Sequence, residues 1–386
     1  MRNKVQLITY VDRLGKNLPG LIDLMKNEFT GLFGGVHLLP IYYPIDGTDS
    51  GFDPADHAAV DSRLGNWANV NELSRRVPVM LDLIVNHISS ESPQFQDVVQ
   101  HGEQSQYWDL FLKRSDVFAT EPDATTLERI HRPRPGSPFT TKRLANNKDY
   151  NFWTTFSDRQ IDINVESNAG QDYLRNILNV FSAGGVSMIR LDAAGYAIKR
   201  PGTSCFMLPE TFEFIERIAT AAAAAKIEVL VEIHSHYQTQ IQISEKVPWV
   251  YDFALPPLVL HTLFTGNTTA LKDWLRIAPR NCITVLDTHD GIGIVDAAKE
   301  GDKPGLLADN EIDNLVEEIH RRSNGDSLKA SGHAASNVDI YQVNCTYFDA
   351  LGQCEKCYLL ARAVQLFAPG IPQIYYVGLL AAGNDM

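Results

Sequence analysis

Short apolar runs alternate with longer stretches of helical period along most of the chain. Val5–Tyr10 reads as a strand, and Leu18–Glu28, with apolar residues three and four apart, as a helix. Gly35–Pro40 and Val79–His87 read as the next strands, with a helix over Trp67–Arg76 between them. Val79–His87 is almost continuously apolar, the pattern of a parallel strand buried on both faces. The rhythm resumes with Gln171–Gly184 (helix), Val186–Ala193 (strand), Phe206–Lys226 (helix) and Glu228–His234 (strand). Tyr237–Lys246 (helix), Val250–Ala254 (strand), Leu260–Ile277 (mostly helical) and Ile283–Asp287 (strand) follow, then Tyr358–Phe367 (helix) and Gln373–Val377 (strand). Such alternation predicts a parallel sheet of the α/β class, and eight strands in this pattern predict a closed (β/α)8 TIM barrel.

Two segments break the rhythm. Residues 88–168 are polar and irregular around Arg132-Pro133-Arg134-Pro135-Gly136-Ser137-Pro138, and residues 291–351 are acidic, with a helix-like patch at Asn310–Arg322. Connections of this length predict an inserted domain after the third strand and a smaller insertion after the seventh. The barrel then comprises 1–87, 169–290 and 352–386, about 244 residues, close to the roughly 250 typical of the architecture.

Charge narrows the function. Lys+Arg number 34 against 47 for Asp+Glu, a net −13. That balance excludes a nucleic-acid binder and docking on an anionic membrane. No run approaches the roughly 18 apolar residues of a membrane span. The start of the chain lacks the apolar stretch of a signal peptide. The five cysteines are too sparse for a disulfide scaffold, so a cytoplasmic location is expected. Cys354-Glu355-Lys356-Cys357 lacks a second ligand pair and reads as two unrelated thiols near the start of a helix.

Active sites of such barrels lie at the C-terminal strand ends. There the third strand carries Asn86-His87, the fourth Arg190 and Asp192, the fifth Glu232 and His234, and the seventh region Asp287-Thr288-His289-Asp290. Residues two apart on a strand share a face, so Arg190 stands with Asp192 and Glu232 with His234. Three carboxylates from different strands suit retaining glycosyl transfer, in which one attacks and another protonates the leaving oxygen. Like-charge neighbours would raise the Glu232 pKa toward that of an acid. Spacing alone also allows an enolase-like or metal-dependent hydrolase barrel, although a convincing metal-ligand set is absent and no metal is expected.

Arg190-Leu191-Asp192, Glu232-Ile233-His234 and His289-Asp290, with Asp82 and Asn86-His87, resemble the signature segments of the alpha-amylase superfamily of retaining glycosidases. Lys4–Tyr10, Gly51-Phe52-Asp53-Pro54, Arg132–Gly136, Tyr251–Pro257, Leu286–Gly293, Ala335–Tyr347 and Pro372–Gly378 are similar to its sucrose phosphorylase branch. The resemblance implies Asp192 as nucleophile, Glu232 as acid/base and Asp290 as transition-state stabiliser. It implies that Arg190 and His289 hold the nucleophile and sugar hydroxyls, with His234 a further substrate contact. Asp49 and His87 would bind glucose, Phe52 and Phe156 would offer aromatic faces, and Tyr196 and Gln160 would line the pocket. Arg134, Asp339, Tyr341 and Gln342 would lie on acceptor-site loops, with Arg134 meeting phosphate.

The implied reaction is reversible phosphorolysis of sucrose to α-glucose 1-phosphate and fructose. It uses no cofactor, inorganic phosphate is co-substrate, and the partners are small molecules. Fructose 6-phosphate or glycerate as the leaving group, plain α-glucoside hydrolysis and an inactive fragment are the alternatives. A homodimer is compatible with this resemblance. The resemblance also implies a further barrel helix and a C-terminal β-domain after the last strand; with Met386 as the final residue, both are expected to be missing from a partial chain.

Overall fold

The computed structural model of the protein describes residues 1–134, 136–331 and 342–385. Eight strands follow one another in chain order around a closed barrel: β1 (Gln6–Thr9), β2 (Gly35–Leu38), β3 (Val79–Ile84), β4 (Met188–Asp192), β5 (Glu228–Val231), β6 (Trp249–Asp252), β7 (Cys282–Thr284) and β8 (Ile371–Tyr375). This is the expected TIM barrel. The chain divides into two compact units, one of Tyr10–Glu28 and Leu38–Val229, the other of Met1–Thr9, Phe29–His37 and Leu230–Met386.

In the first unit, β3 and β4 pair in parallel, with Arg190 opposite Asp82 and Asp192 opposite Ile84. Every residue of both strands is buried, which explains their apolar continuity. Helix α1 (Leu18–Lys26) starts at Asn17, whose side chain accepts from the Gly20 N–H, and buries Leu18, Leu21, Ile22 and Met25. Helix α2 (Trp67–Ser74) is capped by Asn66. Helix α3 (Asn168–Ala183) is capped by Ser167 and buries Leu174, Ile177, Leu178 and Phe181. Helix α4 (Pro209–Ala224) has proline in its first turn, where its missing N–H leaves no helical bond unmade. Within 88–168, a hairpin of Phe139–Arg143 and Asp149–Trp153 accompanies the helix Pro93–His101. Phe95 meets Phe111 and Phe152 edge-on, with ring centroids 5.0 and 5.1 Å away, giving this segment an aromatic core.

In the second unit, β5 pairs with β6, β6 with β7, β7 with β8, and β8 with β1, all in parallel. Helices α5 (Tyr237–Ser244), α6 (Leu255–Thr265), α7 (Thr269–Ile277), α8 (Asp309–Arg322) and α9 (Glu355–Phe367) accompany them. Their core includes Leu255, Leu258, Leu260, Trp274, Ile319 and Tyr347. The α8 helix is the patch expected at Asn310–Arg322. The face of α9 carrying Leu359, Leu360, Leu366 and Phe367 is exposed.

Several boundaries differ from the sequence reading. The expected helix over Leu260–Ile277 is two, because Gly266 takes φ +75° and ends α6 in a left-handed turn. The third strand stops at Ile84, and His87–Ser89 instead pairs antiparallel with Gln160–Asp162. The fifth stops at Val231, leaving Glu232 and His234 in the loop beyond it. The seventh stops at Thr284, so Asp287–Asp290 also follow a strand rather than end one. These polar residues find side-chain partners in place of ladder positions. Cys354 and Cys357 are not unrelated thiols: they form a disulfide at the start of α9, where Cys354 Sγ accepts from the Cys357 N–H at 3.3 Å. Among the described residues, no helix is long and apolar enough to cross a membrane.

Candidate active site

In the first unit the site begins with a loop shaped by Asp53. Its carboxylate accepts from the Thr48 N–H at 2.8 Å, the Thr48 hydroxyl at 2.7 Å and the Asp49 N–H at 3.1 Å. A Cβ on Gly47 would stand 2.3 Å from Asp53 Oδ1, so glycine is required for this close approach. Gly51, at φ +87°, then turns the chain, and the Phe52 N–H closes the turn on the Asp49 carbonyl at 2.9 Å. Asp49 and Phe52 are thereby presented together.

Asp49 joins three expected site residues. Gln160 Nε2 donates to Asp49 Oδ2 at 2.8 Å and lies 3.1 Å from His87 Nε2, while Arg134 Nη2 donates to Asp49 Oδ1 at 2.7 Å. His87 Nε2 also stands 3.0 Å from the Phe52 carbonyl. Burial pulls the His87 pKa below its ordinary value, against the charges of Asp162 and Asp49. Its ring centroid is 5.0 Å from that of Phe156, which in turn lies 5.2 Å from Tyr196. The structure therefore gathers Asp49, Phe52, His87, Arg134, Phe156, Gln160 and Tyr196 into one connected cluster.

Phe52 links this cluster to the end of β4. The Arg190 guanidinium carbon lies 5.5 Å from the centre of the Phe52 ring. Arg190 Nη1 donates to Asp82 Oδ1 at 2.7 Å and to Asp192 Oδ1 at 3.0 Å, with all three residues buried. Arg190 and Asp192 share a face of β4, and the register places Asp82 opposite Arg190. Ala193 follows in the left-handed region at φ +55°, ending the strand just after Asp192. Sequence reasoning missed the buried support beneath: Lys199 Nζ donates to Asn86 Oδ1 at 2.8 Å and pairs with Asp162 Oδ2 at 2.6 Å. Its signal was a lysine ending the apolar stretch Ala193–Ile198.

The second unit holds the other carboxylates. One donor atom each from Glu232, His234 and Asp290 lies within 4.8 Å of the other two. Among the described residues this mixed set has the composition to hold a metal ion, and its two carboxylates are also those expected to act on a glycosidic bond. His289 Nε2 stands 3.4 Å from Asp290 Oδ2. Asp287 is held by Arg362 Nη2, at 2.7 and 2.8 Å from its two oxygens. Gln342 Oε1 accepts from the Gly291 N–H at 3.0 Å, beside the antiparallel pairing of Ile292–Gly293 with Gln342–Val343. Asp339 and Tyr341 lie outside the described residues. The sequence reading also missed Asp296, buried against His234.

Residues 30–247 match the model of the alpha amylase catalytic domain. The chain belongs to the alpha-amylase family. Within the family it stands among the sucrose phosphorylases. That of Agrobacterium vitis is 56% identical, across 100% of this chain and 80% of that protein. That of Bifidobacterium adolescentis is 50% identical, across 100% of this chain and 77% of that protein. The crystal structure of sucrose 6F-phosphate phosphorylase from Thermoanaerobacter thermosaccharolyticum superposes with a TM-score of 0.91 at 38% identity, covering 100% of this chain and 78% of that one.

Proposed function

We propose that this protein catalyses the reversible phosphorolysis of sucrose by retaining glucosyl transfer, yielding α-glucose 1-phosphate and fructose. The observation that carries the reading is the Asp192 carboxylate, 3.0 Å from the buried Arg190 guanidinium at the end of β4. An adjacent cation favours the anionic form of a carboxylate, the form that attacks carbon. The two full-chain sucrose phosphorylase relatives support the choice of substrate.

Asp192 attacks the anomeric carbon of the glucosyl unit as the bond to fructose breaks, and Glu232 gives its proton to the departing oxygen. A phosphate oxygen then attacks the β-glucosyl-enzyme, releasing the Asp192 carboxylate, while Glu232 takes the proton from phosphate. Two inversions give net retention. Asp290 faces the positive charge that develops at the anomeric carbon. Asp49, His87 and Gln160 bind sugar hydroxyls, Phe52, Phe156 and Tyr196 form the apolar wall, and Arg190 and His289 steady nucleophile and sugar. Arg134 meets phosphate as a guanidinium suited to two-point contact, and Gln342 faces the acceptor. Phosphate enters as co-substrate, with no cofactor in the cycle.

The test is α-glucose 1-phosphate formation from sucrose and phosphate on the purified chain. Parallel reactions carry sucrose 6'-phosphate and glucosylglycerate. Release of free glucose at the same rate with and without phosphate would replace the proposal with a hydrolase. Faster turnover of either alternative donor would move the acceptor assignment.

A further inference from the structure

His234 stands two residues after Glu232, and its surroundings within the second unit give it a defined orientation. The imidazole is buried and stacked on Phe253, with ring centroids 3.8 Å apart and planes 18° from parallel. Its Nδ1 lies 2.9 Å from Asp296 Oδ2, and its Nε2 lies 4.0 Å from Glu232 Oε1. Asp296 is fully buried. Its Oδ1 accepts from the Ser235 N–H at 3.2 Å and from Gln240 Nε2 at 2.7 Å. Three donors on two oxygens fix the carboxylate in place. A carboxylate facing Nδ1 requires the proton on Nδ1, which commits Nε2 to the side of Glu232.

Backbone geometry is adapted to the same contact. A Cβ on Gly293 would stand 2.2 Å from Asp296 Oδ2 and 3.0 Å from His234 Nδ1. Glycine at this position lets the strand pass beside the pair. Burial alone would lower the His234 pKa, but the charge and hydrogen bond of Asp296, with the charges of Glu232 and Asp290, raise it above its ordinary value.

We infer that Asp296 is a positioning residue for glucosyl transfer: it holds His234 with Nε2 turned to Glu232 and favours the imidazolium, protonated on both nitrogens, whose positive charge steadies the Glu232 carboxylate left when the proton goes to fructose. The inference rests on the acid/base reading of Glu232. The proton itself moves only between Glu232 and the substrate oxygens; His234 acts through its charge and orientation. Carboxylate–imidazole pairing of this kind typically changes function 10- to 100-fold in metal sites when the carboxylate is lost, and a similar factor is expected here.

The test compares the parent protein, Asp296→Asn, His234→Gln and the double variant, using sucrose and α-glucosyl fluoride as donors. Fluoride departs without a proton, so it bypasses the acid step. Asp296→Asn is expected to slow sucrose turnover about 10- to 100-fold, to spare the fluoride far more, and to shift the pH profile of kcat/KM on sucrose. In the His234→Gln background the same substitution is expected to add little, because its effect passes through the imidazole. Equal losses on both donors with an unmoved pH profile would overturn the inference. So would full additivity in the double variant. Should Asp296→Asn fail to fold, Gln240→Leu removes one donor from Asp296 and is read in the same way. Glu232→Gln is run alongside: if it does not separate the two donors, the acid/base reading fails on its own account.

Discussion

Arg134 Nη2 lies 2.7 Å from Asp49 Oδ1, while Asp49 Oδ2 accepts from Gln160 Nε2 at 2.8 Å. One carboxylate thus joins a residue expected on the acceptor side to one expected on the glucose side. The pair is partly exposed, so its own contribution to stability is small. In the proposed reaction its consequence is chemical: Arg134 would offset the charge of Asp49, which would otherwise repel an incoming phosphate.

Arg134→Ala should therefore impair phosphate use more than sugar cleavage. The expected outcome is a loss of roughly tenfold or more in kcat/KM for phosphate, with water-dependent glucose release largely retained. Steady-state rates at varied phosphate check it. A parallel fall in both activities would remove Arg134 from the phosphate contact.

Asp192→Asn should abolish glucosyl transfer, because an amide does not supply the anionic nucleophile. Glu232→Gln should slow release of fructose by about 100-fold or more and spare an activated donor in the first step. Single-turnover kinetics with sucrose and α-glucosyl fluoride separate the two roles. Glucosyl-enzyme formation by Asp192→Asn would transfer the nucleophile's role elsewhere.

Asp252 gives a pH prediction. Burial raises its pKa from 3.8 to about 7, against the hydrogen bonds it accepts from the Leu255 N–H and Trp274. The folded state therefore holds this proton more tightly than the unfolded chain. Its stabilising contribution is complete below pH 4 and is lost as pH rises through 7, a change on the order of 4 kcal/mol. Asp252→Asn keeps an acceptor oxygen and removes the titration. Its unfolding free energy should decline less between pH 5 and pH 8 than that of the parent; identical slopes in urea denaturation would contradict the assignment.

Gly378 gives a packing prediction. A Cβ there would stand 2.1 Å from Arg362 Nη2 and 2.2 Å from Asp287 Oδ2, inside the buried ion pair. Gly378→Ala should part the two charges and cost about 3–5 kcal/mol of stability. Denaturant unfolding measures this directly. A change under about 0.5 kcal/mol, the level of a neutral surface substitution, would show that the pair accommodates a methyl group.

Much of the site was legible because its residues follow strands whose apolar pattern is plain. Arg190 and Asp192 were legible as a shared face because β4 is a regular strand. Glu232 and His234 were assigned a shared face on a strand that in fact ends before them, yet their side-chain atoms approach within 4.8 Å. The disulfide went unread because C-x-x-C spacing fits both a bond and two separate thiols, and the local turn at the start of α9 decides between them.

The order of apolar and polar positions by itself determined the eight parallel strands and the two long interruptions, since burial of a strand or helix face is written in local periodicity. Tertiary structure alone decided which polar groups partner those beyond the strand ends. Asp296 meets His234 across 62 positions, Arg362 meets Asp287 across 75, and Lys199 meets Asn86 across 113. No periodicity encodes such pairs. Each arises because a buried charge or amide must find a partner wherever the folded chain supplies one.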